Sequence, residues 1–559
     1  MNSKIIFSGI RFLIGAFVSL ANLQAQAPAN WFNLDLAQDD ALGVSTELVY
    51  QELVGDRQPT PVVVAVIDSG VDFEHEDLDD NMWVNPGEIP GNQIDDDQNG
   101  YVDDVHGWNF LGGSGGKNIQ YENLELTRLY VKYKPEFEGK DREDIPKRDR
   151  ERYDKWKEWG ALIEEKMASV KDNFADYQIM KQGLERLKEE IPAPVTKAKL
   201  KNFKSEVDIL NQISDLFIGF MEEYNTDFEG LEANINYWHD HFAQQKAYYD
   251  VDLDVRSIVG DDPEDLSDRY YGNNDVRGPD ALHGTHVAGI IAAERENGLG
   301  MDGVASHVRI MSVRAVPQGD ERDKDVANAI RYAVDNGAQI INMSFGKGQS
   351  PHKKTVDEAV RYAIKKDVLL IHSAGNEGEE NNSTEHFPND RFLKKGLFKP
   401  RYAESWIEVG ASSWQVDEYL SAEFSNYSNF WVDLFAPGVQ IYSTAPFDEY
   451  ETLQGTSMAA PVVSGVAAMI RSYFPELTAR QVKQVIMESV KKAKQLVYQP
   501  GEESKKVPFR QLSVTGGVVN AYQAFKLASV TKGKKKVQEG SKGQKANGER
   551  AQALEQTDR

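Results

Sequence analysis

Leu453 to Ile470 reads LQGTSMAAPVVSGVAAMI, a polar turn bracketed by glycine that runs into a long apolar segment. Ala459, Ala460, Gly465, Ala467 and Ala468 keep that segment thin enough to be packed on all sides, as a buried helix is. Ser457 stands at its start. A serine there has unpaired backbone N–H groups and the positive end of the helix dipole beside it, which suits a developing oxyanion. The plainer reading is an N-cap serine on a core helix. What lies upstream decides between them.

VVVAVIDSGVD, residues 62–72, is a β-branched run that sets Asp68 at the C-terminal end of a buried strand. In open α/β sheets that end is where sites gather. HGTHVAGIIAA, residues 283–293, puts His283 at the mouth of a second small-residue helix. A weak serine nucleophile needs a general base, and the base needs an acid to fix its tautomer and stabilise the imidazolium. Asp68, His283 and Ser457 fill those roles in the order Asp, His, Ser. His286, one helical turn on, is read as a packed residue satisfying a local hydrogen bond.

VIDSGVD, HGTHVAG and GTSMAAP resemble the three signature motifs of the subtilisin-like serine peptidases, and HSAGNEG resembles their oxyanion-hole motif. The chain order of the three groups is also that of this family. The resemblance implies that Asp68 orients His283, that His283 takes the proton, and that Ser457 attacks the scissile carbonyl. It implies an oxyanion hole made by the Asn376 side chain and the Ser457 backbone N–H. It also implies a substrate-pairing segment at Ser344, Phe345 and Gly346, with an opposite pocket wall at Ser373, Ala374 and Gly375. Phe345 and Glu377 would border the cleft, which hints at large or basic P1 groups.

The fold expected is α/β: a doubly wound, mostly parallel sheet flanked by helices in three layers, with an α-helical hairpin inserted. VRIMSVRAV, QIINMSFG, VLLIHSAGN and WIEVGAS read as successive buried strands, with helices at 325–337, 355–367 and 478–492 between and after them. GGVVNAYQAFKLA is similar to the family's closing helix. The catalytic domain is assigned to 60–112 and 256–528, after a short N-terminal extension at 26–59. So short an extension is not expected to fold as an inhibitory prodomain of its own.

Residues 113–255 interrupt this domain between the acid and the base. Trp156, Trp159, Ile163, Met167, Val170, Phe174 and Tyr177 recur at spacings of three and four, followed by Leu184, Leu187 and Ile191. The prolines of IPAPV stop that helix, Leu200 to Tyr224 marks a second, and a third spans Phe228 to Tyr249. The insertion is read either as a solvated appendage closing its own seam or as a lid or docking arm for a protein partner near the cleft.

IDDDQNGYVDD, residues 94–104, alternates hard oxygen donors in the first part of an EF-hand-type loop. Asp95, Asp97, Asn99, Tyr101 through its carbonyl, Asp103 and Asp104 are the ligands expected for a structural Ca²⁺. The usual closing glutamate is missing, because His106 stands at position twelve. An Asp/Asn/Gly surface turn is the competing account. No cofactor is needed for the chemistry itself.

Lys4 and Arg11 precede an apolar run from Phe12 to Ala21, and small residues follow at Ala25 and Ala27, so 1–25 reads as a secretory signal. The expected location is periplasmic or extracellular, with no membrane span once the signal is removed. The absence of cysteine excludes disulfides, thiol catalysis and a lipid-modified cysteine. A net charge of −26 argues against nucleic acid and leaves polypeptides as the expected substrates. The end of the chain, 529–559, is rich in Lys, Gly and Gln and is expected to be disordered. The competing class is a catalytically silent binding or adhesion protein on the same fold, with the helical arm as its working surface.

Overall fold

The computed structural model describes residues 26–381, 386–393 and 400–534. The expected signal at 1–25 therefore lies outside the described residues, as does most of the expected tail. Nine strands form one sheet: β1 (Val62–Asp68), β2 (Gly107–Asn109), β3 (Val308–Arg314), β4 (Ile340–Met343), β5 (Leu369–Ser373), β6 (Trp406–Ser412), β7 (Leu434–Pro437), β10 (Lys491–Lys492) and β13 (Gly517–Val518). Two hairpins lie outside it, β8 (Ile441–Ala445) with β9 (Glu449–Leu453), and β11 (Leu496–Gln499) with β12 (Glu502–Pro508). The sheet order is β10-β13-β7-β6-β5-β4-β1-β3-β2, and only the β10–β13 pair is antiparallel.

β1 has β3 on one side and β4 on the other, so the winding direction reverses there. A reversal of this kind opens a crevice at the carboxyl ends of the strands. Residues alternate across β1: Val62, Val64 and Val66 enter one core, Ala65 and Ile67 the other. Both faces are dry, which is why the strand is a continuous β-branched run with no polar alternation.

The insertion holds five helices, α1 (Glu125–Phe137), α2 (Arg150–Glu190), α3 (Lys197–Asn202), α4 (Asp208–Glu223) and α5 (Phe228–Tyr249). Its neck is closed by Asn123, whose Nδ2 donates to the carbonyls of Ala247 (2.7 Å) and Asp250 (3.0 Å). At 41 residues, α2 is about 60 Å long. The near part of its apolar stripe packs on α1 through Phe137, Tyr153 and Trp156. The far part packs on α4 and α5, where Tyr177, Leu184 and Leu187 meet Leu210, Phe217, Leu231 and Phe242. Met167, Val170 and Phe174, between these two clusters, are only half-buried.

The third expected helix forms at Phe228–Tyr249, while the expected hairpin beside it needs correcting in two respects. Helix α1 was not anticipated. The second helix is broken at 203–207, where Ser205 N–H and O bond the Asn211 side chain at 2.9 and 2.8 Å instead of continuing the ladder. Side chain to backbone bonds of this kind compete with the helix and end it.

The root of the insertion is tied to the domain that holds the large sheet by a buried charge network. Lys347 Nζ donates to Glu125 Oε2 (2.9 Å) and to the Glu321 carbonyl (2.6 Å), and it pairs with Asp323 Oδ1 at 3.0 Å. Glu125 also receives Arg128 at 2.6 Å. Burial alone would raise the Glu125 carboxyl, but Arg128 and Lys347 outweigh it and hold it down at about 2.

The domain around the large sheet supplies α6 (Leu282–Ala292), α7 (Asp323–Asp335), α8 (Lys353–Lys365), α9 (Thr456–Tyr473), α10 (Ala479–Glu488) and α11 (Ala521–Val530). Helices α7 and α8 cover one face of the sheet; α6, α9, α10 and α11 cover the other. Because α11 runs to Val530, ordered structure extends past the expected limit at 528. The stretch 26–59 is built into the first core through fully buried Trp31, Phe32 and Val44, and Ala521 N–H donates to the Val44 carbonyl (2.7 Å).

The small residues of α9 have a measurable purpose. A Cβ on Gly465 would sit 2.5 Å from Val304 Cβ, inside van der Waals contact. Replacing Gly465 by Ala is expected to overpack this seam and destabilise the fold by about 1–3 kcal/mol. Urea unfolding should show a lower midpoint with an unchanged slope.

Candidate active site

Asp68 ends β1 and is 2% exposed. Its Oδ1 accepts from the Ser69 backbone N–H and from His283 Nδ1, both at 2.7 Å. That bond leaves His283 Nε2 as the lone-pair nitrogen and gives the ring one orientation. Burial pulls the His283 pKa down, but the charge and hydrogen bond of Asp68, with Asp280 adding to them, outweigh it and raise the group above its ordinary value. His286 is wholly buried one turn further on. Its Nε2 donates to the carbonyls of Ile441 (3.0 Å) and Glu451 (3.1 Å), and burial pushes its pKa down to about 4. It is a neutral strut between α6 and the β8–β9 hairpin.

Ser457 is the second residue of α9 and partly exposed. Four residues on, Pro461 lies inside the helix and has no N–H to give back to the Ser457 carbonyl. Ser344 Oγ donates to that carbonyl instead (2.9 Å), and Ser457 Oγ in turn donates to the Ser344 carbonyl (3.2 Å). In this arrangement the Ser457 hydroxyl hydrogen points to the Ser344 carbonyl. Ser344 directly follows β4, and β4 pairs with β1 in the register Ile67↔Met343. One step along, Asp68 and Ser344 are neighbours on adjacent strands, about 5 Å apart. The carboxylate carrying the imidazole and the segment carrying the serine therefore meet at one end of the sheet.

The Asn376 amide is fixed by its oxygen. Oδ1 accepts from Thr456 N (2.8 Å) and Thr456 Oγ1 (2.9 Å), while Gly375 N–H donates to the same Oγ1 (3.1 Å). The Asn376 N–H₂ is thereby turned toward the turn before α9. A Cβ added to Gly455 (φ +154°) would lie 3.4 Å from Asn376 Nδ2 and 3.6 Å from Ser457 N. The side-chain and backbone donors thus face one small volume, and the glycine keeps it clear.

Segments 344–346 and 373–375 lie on neighbouring strand ends, since β4 pairs with β5. Phe345 is largely buried and meets His372 edge-on at 6.3 Å. Ser373 and Ala374 are buried. Asn426 braces the loop beyond: its Nδ2 donates to the Ala374 carbonyl (3.1 Å) and to Glu377 Oε2 (2.5 Å), and its Oδ1 accepts from the N–H groups of Glu377 and Glu379.

Two supporting residues escaped the sequence reading. Arg314, paired in register with Asp68, is 1% exposed and donates to the Ser69 carbonyl (2.7 Å), Asn109 Oδ1 (3.1 Å) and the Ile119 carbonyl (2.6 Å). Burial lowers its pKa to about 10. His386 is the other; a Cβ on Gly346 or Gly375 would come within 3.2 or 2.8 Å of its Cε1, so its ring lies between the two segments.

In the acidic loop, Asp95 and Asp97 share a site with Glu88, one ligand atom from each lying within 4.8 Å of the others. Glu88 is 8% exposed; its Oε1 accepts from the N–H groups of Asp96 (3.0 Å) and Asp97 (3.2 Å), and its Oε2 is sealed without a partner. An orphaned buried carboxylate oxygen between two aspartates fits a hard divalent cation. Asn99 Oδ1 is taken by Tyr101 N–H (2.8 Å). Asp103 points elsewhere, accepting from the N–H groups of Gly91 and Gln93. Asp104 is wholly buried against Asn85, Asn99 and Tyr332, and burial raises its carboxyl to about 6.

Among the described residues, no helix is long and apolar enough to cross a membrane. The Subtilase family model matches residues 60–504. The chain is 40% identical over 227 residues to a "Thermophilic serine proteinase" of Bacillus sp. (strain AK1), covering 40% of this chain and 49% of that one. It is 42% identical over 205 residues to the "Major intracellular serine protease" of Bacillus subtilis (strain 168), covering 36% and 59%. The solved structure titled "Structure of Prenylagaramide maturation protease PagA" aligns at 27% identity and a TM-score of 0.35, covering 44% of this chain and 82% of that one. The chain thus spans about half the length of these curated relatives. A match that runs from β1 through the serine helix and into the β11–β12 hairpin makes this chain a member of the subtilase family.

Proposed function

We propose that this protein is an exported serine endopeptidase that cleaves polypeptides through an acyl-enzyme. The observation that carries this reading is the pairing of Asp68 with His283 at 2.7 Å on the strand beside Ser344, which itself holds Ser457. Ser457 Oγ attacks the scissile carbonyl as its proton passes to His283 Nε2, and Asp68 stabilises the imidazolium. The oxyanion draws hydrogen bonds from Asn376 Nδ2 and Ser457 N–H. His283 returns the proton to the amine nitrogen as the C–N bond breaks. A water, deprotonated by His283, then attacks the acyl carbon and releases Ser457. Export is supported by the charged-then-apolar N-terminal segment with small residues after it.

A fluorophosphonate probe should label the wild-type chain and leave Ser457→Ala unlabelled; no labelling of either would favour the silent scaffold. Asn376→Ala should retain folding and lose about 10²–10³ in kcat, the magnitude known for this donor in the family rather than one derived from these distances.

His283 must be neutral to accept the proton, and its pKa is raised. Activity should therefore climb with pH through an apparent pKa above about 6.5. Asp280→Asn removes one of the raising charges and should move that limb to lower pH. A limb below the ordinary histidine value, unmoved in the variant, contradicts this assignment.

We also propose that Glu88, Asp95 and Asp97 hold a structural Ca²⁺, with Asn99 and the Tyr101 carbonyl as the further donors suggested by the loop pattern. In the Ser457→Ala background, calcium at 100 times its Kd should add about 2.7 kcal/mol to stability. Thermal melts with and without chelator measure this gain, and Glu88→Gln should abolish most of it.

A further inference from the structure

His372, His386 and Glu408 converge beneath the two segments 344–346 and 373–375, with one ligand atom of each within 4.8 Å of the others. His372 Nδ1 lies 3.0 Å from Glu408 Oε1, and His386 Nε2 lies 3.8 Å from the same oxygen. Bonds of about 2.0–2.1 Å at tetrahedral angles place neighbouring zinc ligands roughly 3.3 Å apart. Two of the three separations already bracket that value. The third, between the two imidazoles, is within 4.8 Å, and His386 is the most exposed member, at 15% against 0% for His372 and 7% for Glu408.

The surroundings are those of a built site. The Trp406 indole N–H donates to Glu408 Oε2 at 2.8 Å, which fixes the carboxylate from behind. The Glu408 backbone N–H donates to Asp433 Oδ2 (3.0 Å), and Lys483 faces Asp433 at 3.3 Å. Among the described residues, the Glu408 carboxylate itself has no lysine or arginine partner. Two imidazoles oppose it, and those are neutral unless protonated. A buried carboxylate flanked by two imidazoles and lacking a fixed cation is short of positive charge.

We propose that His372, His386 and Glu408 form a binding site for a borderline divalent cation of the zinc class. Two nitrogens and one oxygen suit zinc better than calcium, which prefers an all-oxygen shell. The loop containing Glu88, Asp95 and Asp97 has the opposite donor set, so the two sites sort the two metals by chemistry. Because the His386 ring stands between Gly346 and Gly375, an ion held by it would lie against the two segments expected to border a substrate side chain. That last consequence rests on the peptidase reading; the site itself does not.

The test is zinc chloride titrated calorimetrically into the full-length Ser457→Ala chain with calcium already saturating. One zinc should bind, and its affinity should fall about tenfold or more in Ser457→Ala/His386→Ala. Asp80→Ala, in an exposed carboxylate group with Asp79 and Glu294, should leave it unchanged. Circular dichroism checks that each variant is folded; should His386→Ala not fold, His386→Gln takes its place. Absence of zinc binding, or equal affinity with and without His386, overturns the proposal. Because binding is read on a chain that cannot acylate, failure here leaves the peptidase reading standing.

Discussion

The parallel register of β1 against β4 governs the site. It sets Ile67 opposite Met343, and hence Asp68 beside Ser344 at the carboxyl edge of the sheet. From these two positions the proposed catalytic groups are hung: the imidazole from Asp68, the Ser457 main chain from Ser344. A slip of one residue in either strand would turn its side chains to the opposite face and separate the pair. The two dry cores prevent that slip, because Val62, Val64 and Val66 fit one and Ala65 and Ile67 the other. Packing of apolar residues far from any substrate thus positions the polar groups.

The site's charges follow from the same arrangement. Asp68 is buried at the end of a strand, so its carboxylate depends on donors: Ser69 N–H and His283 Nδ1–H. Arg314, next to it in register, gives its hydrogen bonds to carbonyl and amide oxygens and none to Asp68, though it grips the Ser69 carbonyl. The geometry of the carboxylate is thereby stiffened without a guanidinium paired to it. A direct pairing would compete with His283 for the charge that makes it basic.

Much of this was legible in the sequence because the decisive signals are local. A β-branched run ending in Asp68, a small-residue helix opening at His283 and the turn before Ser457 each show in a dozen residues. The helix from Phe228 to Tyr249 was legible for the same reason, from apolar spacing alone. What escaped depends on distance along the chain. Glu88 joins Asp95 and Asp97 only because the loop folds back on itself, and His386 reaches His372 and Glu408 only once β5 and β6 are side by side. The break at 203–207 escaped for another reason: Leu200, Phe203, Val207 and Leu210 keep helical spacing through it, while the Ser205–Asn211 bonds that end the helix leave no mark in hydrophobic periodicity. Helix α1 is held by partners far away in the chain: Lys347 pairs with its Glu125, and its Arg128 donates to the Asp320 carbonyl.

Pro461 has an effect beyond its own position. By withholding one amide hydrogen from the first turn of α9, it leaves the Ser457 carbonyl to be satisfied by Ser344. Ser457, the proposed nucleophile, is therefore anchored through its main chain to the rim along which a bound peptide is proposed to lie. Any displacement of that rim is handed directly to its own backbone, so in the proposed mechanism docking and attack share a single joint.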